Sequence, residues 1–359
     1  MSTARADNVR IAGIASAVPE TVVTSADDAL RFGVEETKRV VKNTGVHQRH
    51  VANVLCASDL AQPAAVRLMA DLGWDPLSVD ALIYVTQCAD YPAPSTACLI
   101  QSRLGFGTHC AAFDVNLGCS GYPYGLWMAA SFIATGMKRV MVLVGDTASR
   151  AASPHDRSVV PLFGDAGSAT AVEFSPGAPP MHFVLGTDGR GAKHLHSRAG
   201  GFRHRTSAAS LEMHEGEDGV LRNEEQTYMN GAEVLTFAIE AVPKLMEEIR
   251  ARAGWSEADV DAYVFHQASA FMLKTIARCS RIPLSKVVLG MEQYGNTSVA
   301  SIPLAMSDQL RERLSAGSQR LVLGGFGIGW SWAAASIECG PLVMPPVLLI
   351  PDVHVEPEF

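Results

Sequence analysis

Short apolar runs recur along the chain, each bounded by polar or turn-forming residues. The runs at 9–15, 81–86, 140–145 and 169–174 predict buried strands. Three more are predicted at 262–265, 320–323 and 333–338. Between them, apolar positions fall at helical spacing. Helices are predicted over 63–72, 121–135 and 232–253, and Pro243 predicts a kink in the last. Alternating strands and helices imply an α/β architecture with layered sheets.

The rhythm breaks between 186 and 226. Gly, His, Arg, Ser and Glu dominate there, which predicts a long surface excursion between two α/β halves, 1–185 and 227–339. Its GTDGRGA segment has the wrong glycine spacing for a dinucleotide fingerprint. The similar rhythm of the two halves suggests an internal duplication. Residues 340–359 are apolar but proline-rich, so an extended tail packed on the surface is expected.

Composition narrows the picture. A chain of 359 residues, 48% hydrophobic, suits two domains or one large fused core. A formal net charge of −8 argues against a nucleic-acid partner. No apolar run is long enough to span a membrane. The first twenty residues lack the apolar stretch of a signal peptide. Seven scattered cysteines without a CxxC pair argue against a disulfide framework or a zinc site, and fit reduced thiols in a cytoplasm. An acidic partner would be repelled at long range, so it would need a local basic patch. Arg198, Arg203, His204 and Arg205 could supply one, or could form an ordinary solvated loop.

Four segments could carry chemistry. In FDVNLGCSGYPYGLWMAASF, a strand runs through Gly118 to Cys119, and a helix follows. A helix N-terminus offers unpaired N–H groups and partial positive charge, which favour a nucleophilic thiolate. A buried structural cysteine is the other reading. In VDAYVFHQAS, His266 stands at a strand end, where side chains of α/β proteins meet ligands, or it is a satisfied core histidine. In EQYGNTSVASIPLAM, Asn296 follows a turn glycine and precedes a run of small residues. In LVLGGFGIGWSW, Gly324, Gly325, Gly327 and Gly329 predict a loop whose backbone N–H groups approach a ligand closely. No Lys-Ser/Thr follows, which excludes a phosphate loop of the usual kind.

Together and in this order, the segments resemble the beta-ketoacyl-acyl-carrier-protein synthase III family of the thiolase-like superfamily. The likeness runs from about residue 9 to 338 and includes YPAPSTACLIQSRLG, DRSVVPLFGDAGSA and YMNGAEV. It implies a thiolase fold, with duplicated α/β halves in a layered αβαβα arrangement. It implies that Cys119, His266 and Asn296 share one pocket, with no metal and no cofactor. Cys119 would carry an acyl thioester, and the backbone N–H groups of Cys119 and Ile328 would form the oxyanion hole. His266 and Asn296 would stabilise the enolate left when a malonyl-type thioester loses carbon dioxide. The implied partners are acyl-coenzyme A or acyl-carrier-protein thioesters, and a second copy of the chain. Acyl transfer to an oxygen or nitrogen acceptor is the alternative reaction on the same residues. A non-catalytic partner subunit is the alternative class.

The chain departs from the family where carriers bind. Arg39 and Asn43 stand where the family has Trp and Arg, and Arg157 is kept as the arginine that stacks on adenine. Ser269 replaces an asparagine near the pantetheine arm. Phe271 replaces a carrier-protein-binding arginine, with Lys274 and Arg278 nearby. Ala93 stands where a bulky residue closes the acyl pocket across a dimer, which predicts a longer or branched acyl group.

Overall fold

The computed structural model describes residues 1–355. Two sheets carry the architecture. The first has six strands in the order Leu348–Ile350, Val9–Pro19, Ala166–Phe174, Arg139–Asp146, Ala81–Val85, Ala111–Val115. The second has five, in the order Ser2–Ala6, Met181–Thr187, Ser331–Cys339, Gln319–Gly327, Ala262–Phe265. Every strand predicted from an apolar run is present, most of them longer than the run. Ser2–Ala6 and Met181–Thr187 were not foreseen. They pair with each other, and Met181–Thr187 joins Ser331–Cys339. The sheet of the C-terminal strands therefore takes two strands from residues 1–187.

Two helices lie between the sheets. Gly121–Ala134 is apolar on nearly every side, as a helix enclosed by protein must be. Its Tyr122, Leu126 and Ile133 share one core with Ile302 and Met306 of the helix Ser301–Gln309. Strand residues of both sheets, such as Val142 and Leu321, complete that core. Ala57–Leu72 and Thr96–Arg103 cover the outer face of the first sheet. Gly231–Ala253 and Ala270–Cys279 cover the outer face of the second. The result is the five-layer αβαβα arrangement that the resemblance implies.

One proline reading needs correction. The helix predicted from residue 63 begins at Ala57, where the Asp59 carboxylate accepts the Cys56 N–H at 2.8 Å. Pro63 therefore sits inside the helix rather than at its start. Pro243 lies within Gly231–Ala253, the helix predicted over 232–253, which continues past it. A proline removes one ladder bond. Burial of Val242, Leu245, Met246 and Ile249 against the second sheet holds the helix through it.

The tail does more than pack on the surface. Leu348–Ile350 adds a parallel strand to Val9–Pro19, and the Asp352 carboxylate accepts the N–H groups of Asn53 and Val54. The last four residues of the predicted tail, 356–359, lie outside the described residues. Among the described residues, no helix is long and apolar enough to cross a membrane, and no cluster of side chains has the make-up of a metal site.

Candidate active site

Cys119 sits where the two sheets meet. The strand Ala111–Val115 leads to it from the first sheet, and Gly121–Ala134 begins two residues later. The strand Gln319–Gly327 comes up from the second sheet. A Cβ on Gly327 would lie 2.9 Å from the Cys119 sulfur, so only glycine permits this approach. A Cβ on Gly118 would lie 2.2 Å from Gln87 Oε1, so that glycine admits the Gln87 amide beside the nucleophile. The predicted four-glycine loop is corrected in part. Gly324, Gly325 and Gly327 belong to the strand, and Gly329 alone lies in the turn after it. An extended strand brings backbone closer to Cys119 than a loop would.

Burial pushes the Cys119 thiol up to about 11. Backbone hydrogen bonds from Ile328 and from Cys119 itself oppose the rise, as does the Ser298 side chain, while the nearby Asp146 carboxylate adds to it. Desolvation is the largest influence and favours the protonated thiol, against the helix start, which favours the thiolate. The Ile328 backbone N–H lies close enough to the sulfur to favour its charged form.

His266 follows the strand Ala262–Phe265 and is buried. Its Nδ1 lies 2.8 Å from Ser301 Oγ, and its ring stands edge-on to Phe326. Gln267 locks the turn beneath it, donating to the Phe265 carbonyl at 2.7 Å and accepting the Gly290 N–H at 2.7 Å. Burial pushes the imidazole down to about 4, against a hydrogen bond with the Ser298 backbone. The ring is neutral at pH 7.

Asn296 is placed by its backbone. Gly295, at φ 67°, makes a turn against the Leu162 carbonyl, where a Cβ would stand 2.7 Å from the oxygen. Asn296 then donates to that carbonyl at 2.8 Å and accepts the Gly164 N–H at 3.1 Å. Its side-chain Oδ1 accepts the Ser298 N–H at 2.9 Å. That bond leaves the Nδ2 hydrogens as the donors available to a ligand.

Cys119, His266 and Asn296 wall one cavity of about 230 Å³, with Phe163, Val234 and Phe326 among its apolar neighbours. This channel shares Ser158, Met229 and Gly231 with an outer recess of about 370 Å³ that holds Arg39 and Arg157. On its other side it shares Cys119, Phe163 and Leu195 with a chamber of about 610 Å³. Recess, channel and chamber form one path, and the thiol stands between the last two.

The remaining predicted residues divide. Ser269 lines the channel, and its Oγ caps the helix Ala270–Cys279 by accepting the Met272 N–H at 3.2 Å. Arg39 faces the outer recess but is paired with Glu36 at 2.5 Å. Asn43 is exposed on the helix Val34–Thr44 and lines none of these cavities, whereas its neighbour Thr44 lines the channel. Ala93 is exposed and lines neither channel nor chamber of its own chain. Arg198 and His204 both turn to Glu224, which offsets the charge of that basic run.

Two site residues escaped the sequence. Asp146 ends the strand Arg139–Asp146, is 2% exposed and lines the chamber with Cys119. Its Oδ1 accepts the Gln87 N–H at 2.7 Å and the Thr86 hydroxyl at 3.1 Å. Ser298 holds a left-handed backbone at φ 50°, unusual for a residue other than glycine. It touches Cys119 and Asp146 through its side chain, and Asn296 through its N–H.

Comparison with known proteins agrees with this geometry. The family model for 3-oxoacyl-[acyl-carrier-protein] synthase III matches residues 113–189, and the model for the C-terminal part of the same enzymes matches 251–339. The beta-ketoacyl-[acyl-carrier-protein] synthase III of Caldanaerobacter subterraneus is 33% identical over 332 residues, 91% of this chain and 97% of that one. A crystal structure of a 3-oxoacyl-(acyl-carrier protein) synthase from Burkholderia xenovorans superposes with a TM-score of 0.92 at 40% identity, covering 97% of this chain and 99% of that one. A priming β-ketosynthase from a polyketide pathway superposes with a TM-score of 0.78 at 25% identity, covering 95% and 98%.

Proposed function

The chain belongs to the beta-ketoacyl-[acyl-carrier-protein] synthase III family of condensing enzymes with the thiolase fold, and from that premise we propose that its condensation runs through an acyl thioester on Cys119. The observation that carries the proposal is the shared cavity. A nucleophile and two neutral hydrogen-bonding side chains, Cys119, His266 and Asn296, line one channel.

In the first half-reaction an acyl thioester enters along the channel. Its recess end, with Arg39 and Arg157, suits the phosphates of coenzyme A, and the exposed Phe271, Lys274 and Arg278 suit a carrier protein. Cys119 loses its proton and attacks the thioester carbonyl. The oxyanion accepts the N–H groups of Cys119 and Ile328, an arrangement worth about 3 kcal/mol of barrier per donor. The carrier thiol departs with a proton, and the acyl group stays on sulfur, facing the chamber.

In the second half-reaction a malonyl-type thioester takes the channel and loses carbon dioxide. Its enolate oxygen accepts hydrogen bonds from His266 Nε2 and Asn296 Nδ2. Ser301 Oγ lies 2.8 Å from His266 Nδ1 and accepts the Gln267 N–H at 3.2 Å. In this reading Ser301 gives its hydroxyl hydrogen to Nδ1, and the ring hydrogen on Nε2 serves the enolate. The carbanion attacks the acyl carbonyl, a carbon–carbon bond forms, and Cys119 leaves as the thiolate. The chamber lies within the roughly 300–1,000 Å³ range of sites that hold drug-sized ligands, so it suits an acyl group longer than acetyl. A homodimer in which the loop carrying Ala93 faces a second copy is part of the same reading.

The test offers purified protein an acyl-coenzyme A and then a malonyl thioester. Mass spectrometry should find the acyl group on the peptide containing Cys119. Carbon dioxide release with a β-keto product should follow. A product that keeps the original acyl length would replace condensation with acyl transfer. Absence of any adduct on Cys119 would sink the proposal.

A further inference from the structure

The chamber beyond Cys119 is an unexpected place for a plain hydrocarbon chain. Its wall includes Gln87, Asn116, Asp146, His196, Thr227 and Ser298. The Gln87 amide lies over Gly118, one residue from the nucleophile. His196 Nδ1 is buried without a hydrogen-bond partner, and Asp146 Oδ2 has none besides the adjoining Ser298 and Val299. Ala148, Ala151, Phe163, Leu195 and Ile328 supply apolar wall around these polar groups, so the chamber is mixed, with its polar atoms gathered on the side of Gln87, Asp146 and Ser298.

An alkyl chain filling this space would displace water from polar side chains and return no hydrogen bonds. A chain that carries its own hydrogen-bonding group would replace what it displaces. Resting on the proposed acyl-Cys119 chemistry, we infer that the acyl substrate bears a hydroxyl group, which enters the chamber and pairs with the polar wall formed by Gln87, Ser298 and Asp146. A hydroxyl fits better than a carboxylate or an ammonium. Burial raises the Asp146 pKa, so the environment disfavours charge there. A hydroxyl can donate to the carboxylate or accept from the acid, and it brings no charge of its own.

The inference fixes how the enzyme ranks substrates. Among acyl groups of equal length, hydroxylated ones should acylate Cys119 faster. The experiment uses coenzyme A thioesters in matched pairs: butyryl and hexanoyl against their 3-hydroxy and 4-hydroxy counterparts. The rate of the Cys119 adduct is followed by intact-protein mass spectrometry. At least one hydroxylated member should exceed its alkyl partner by about tenfold in kcat/KM, the ratio that one well-made hydrogen bond supports. The same ratio in Asp146→Asn should fall towards one, and it is internal to each sample, so a loss of folded protein does not disturb it. Alkyl partners that react as fast as every hydroxylated member, or faster, overturn this inference and leave the acyl-Cys119 chemistry standing. Absence of adducts from all thioesters overturns both.

Discussion

The channel and the chamber both reach one sulfur atom and are built from different materials. The channel is narrow, at about 230 Å³, and its walls are mostly apolar. Among its few polar groups, His266 and Asn296 are each held by the protein through one side-chain atom. The chamber is larger, at about 610 Å³, and its wall is mixed, with Gln87, Asn116, Asp146 and His196 set among Phe163, Leu195 and Ile328. The difference separates two tasks. Chemistry that every substrate shares needs a few donors held rigidly in a dry place, where a hydrogen bond is strongest. Discrimination between acyl groups needs a varied wall whose polar atoms are satisfied by one ligand and not by another.

The comparison can be broken most severely at the sulfur. Cys119→Ala should remove the adduct and reduce condensation by at least about 10³-fold, because both cavities serve that atom. Activity that survives with an adduct on another cysteine would refute the arrangement. The next largest effect is one of pH. A thiol near 11 is protonated at neutrality, and its reactive form grows tenfold per pH unit below that value. Alkylation of Cys119 by iodoacetamide should therefore climb about 10³-fold between pH 7 and 10. A plateau below pH 8 would show that the helix start lowers the pKa after all.

Asn296→Ala tests the channel alone. Condensation should fall by about 10²- to 10³-fold, as for the loss of one oxyanion donor, while single-turnover acylation of Cys119 changes little. Equal loss in both half-reactions would erase the division of labour. Ser301→Ala is milder. It removes the hydroxyl that sets the His266 tautomer, so decarboxylation should slow by about tenfold with acylation spared. A merely structural serine would affect both. The smallest expected effect is that of Ser269→Ala. Loss of its cap should cost about 1 kcal/mol of stability in urea unfolding, with kcat almost unchanged.

The same division explains what could be read in the sequence. Cys119, His266 and Asn296 sit in segments whose local pattern is distinctive: a glycine-flanked strand-to-helix turn, a strand end and a turn before small residues. The strands were legible because burial between helix layers makes them nearly continuous apolar runs. Met181–Thr187 was missed because its run MHFVLGT leads straight into the glycine-rich excursion. Asp146 and Ser298 were missed for another reason. Asp146 stands in no unusual segment and Ser298 in one where Asn296 drew the attention, and their convergence on Cys119 exists only once the two sheets are stacked. The rule that pointed to His266, a polar side chain at the end of an apolar strand, applies equally to Asp146 and would have found it. The protonation of Cys119 was not legible, because a helix start is visible in sequence and the depth of its burial is not.

The two chain ends cross over. The N-terminal strand Ser2–Ala6 closes the sheet made mostly by the last third of the protein, and Leu348–Ile350 closes the sheet made by the first half. For a chain leaving the ribosome, this order matters. The first strand must wait unpaired until Met181–Thr187 has been synthesised, and the first sheet lacks its edge until residues 348–350 emerge. Each sheet is latched by a strand from the far side of the sequence, so neither is complete until residues 348–350 have been made, and a chain cut short before residue 348 is left with an open sheet edge.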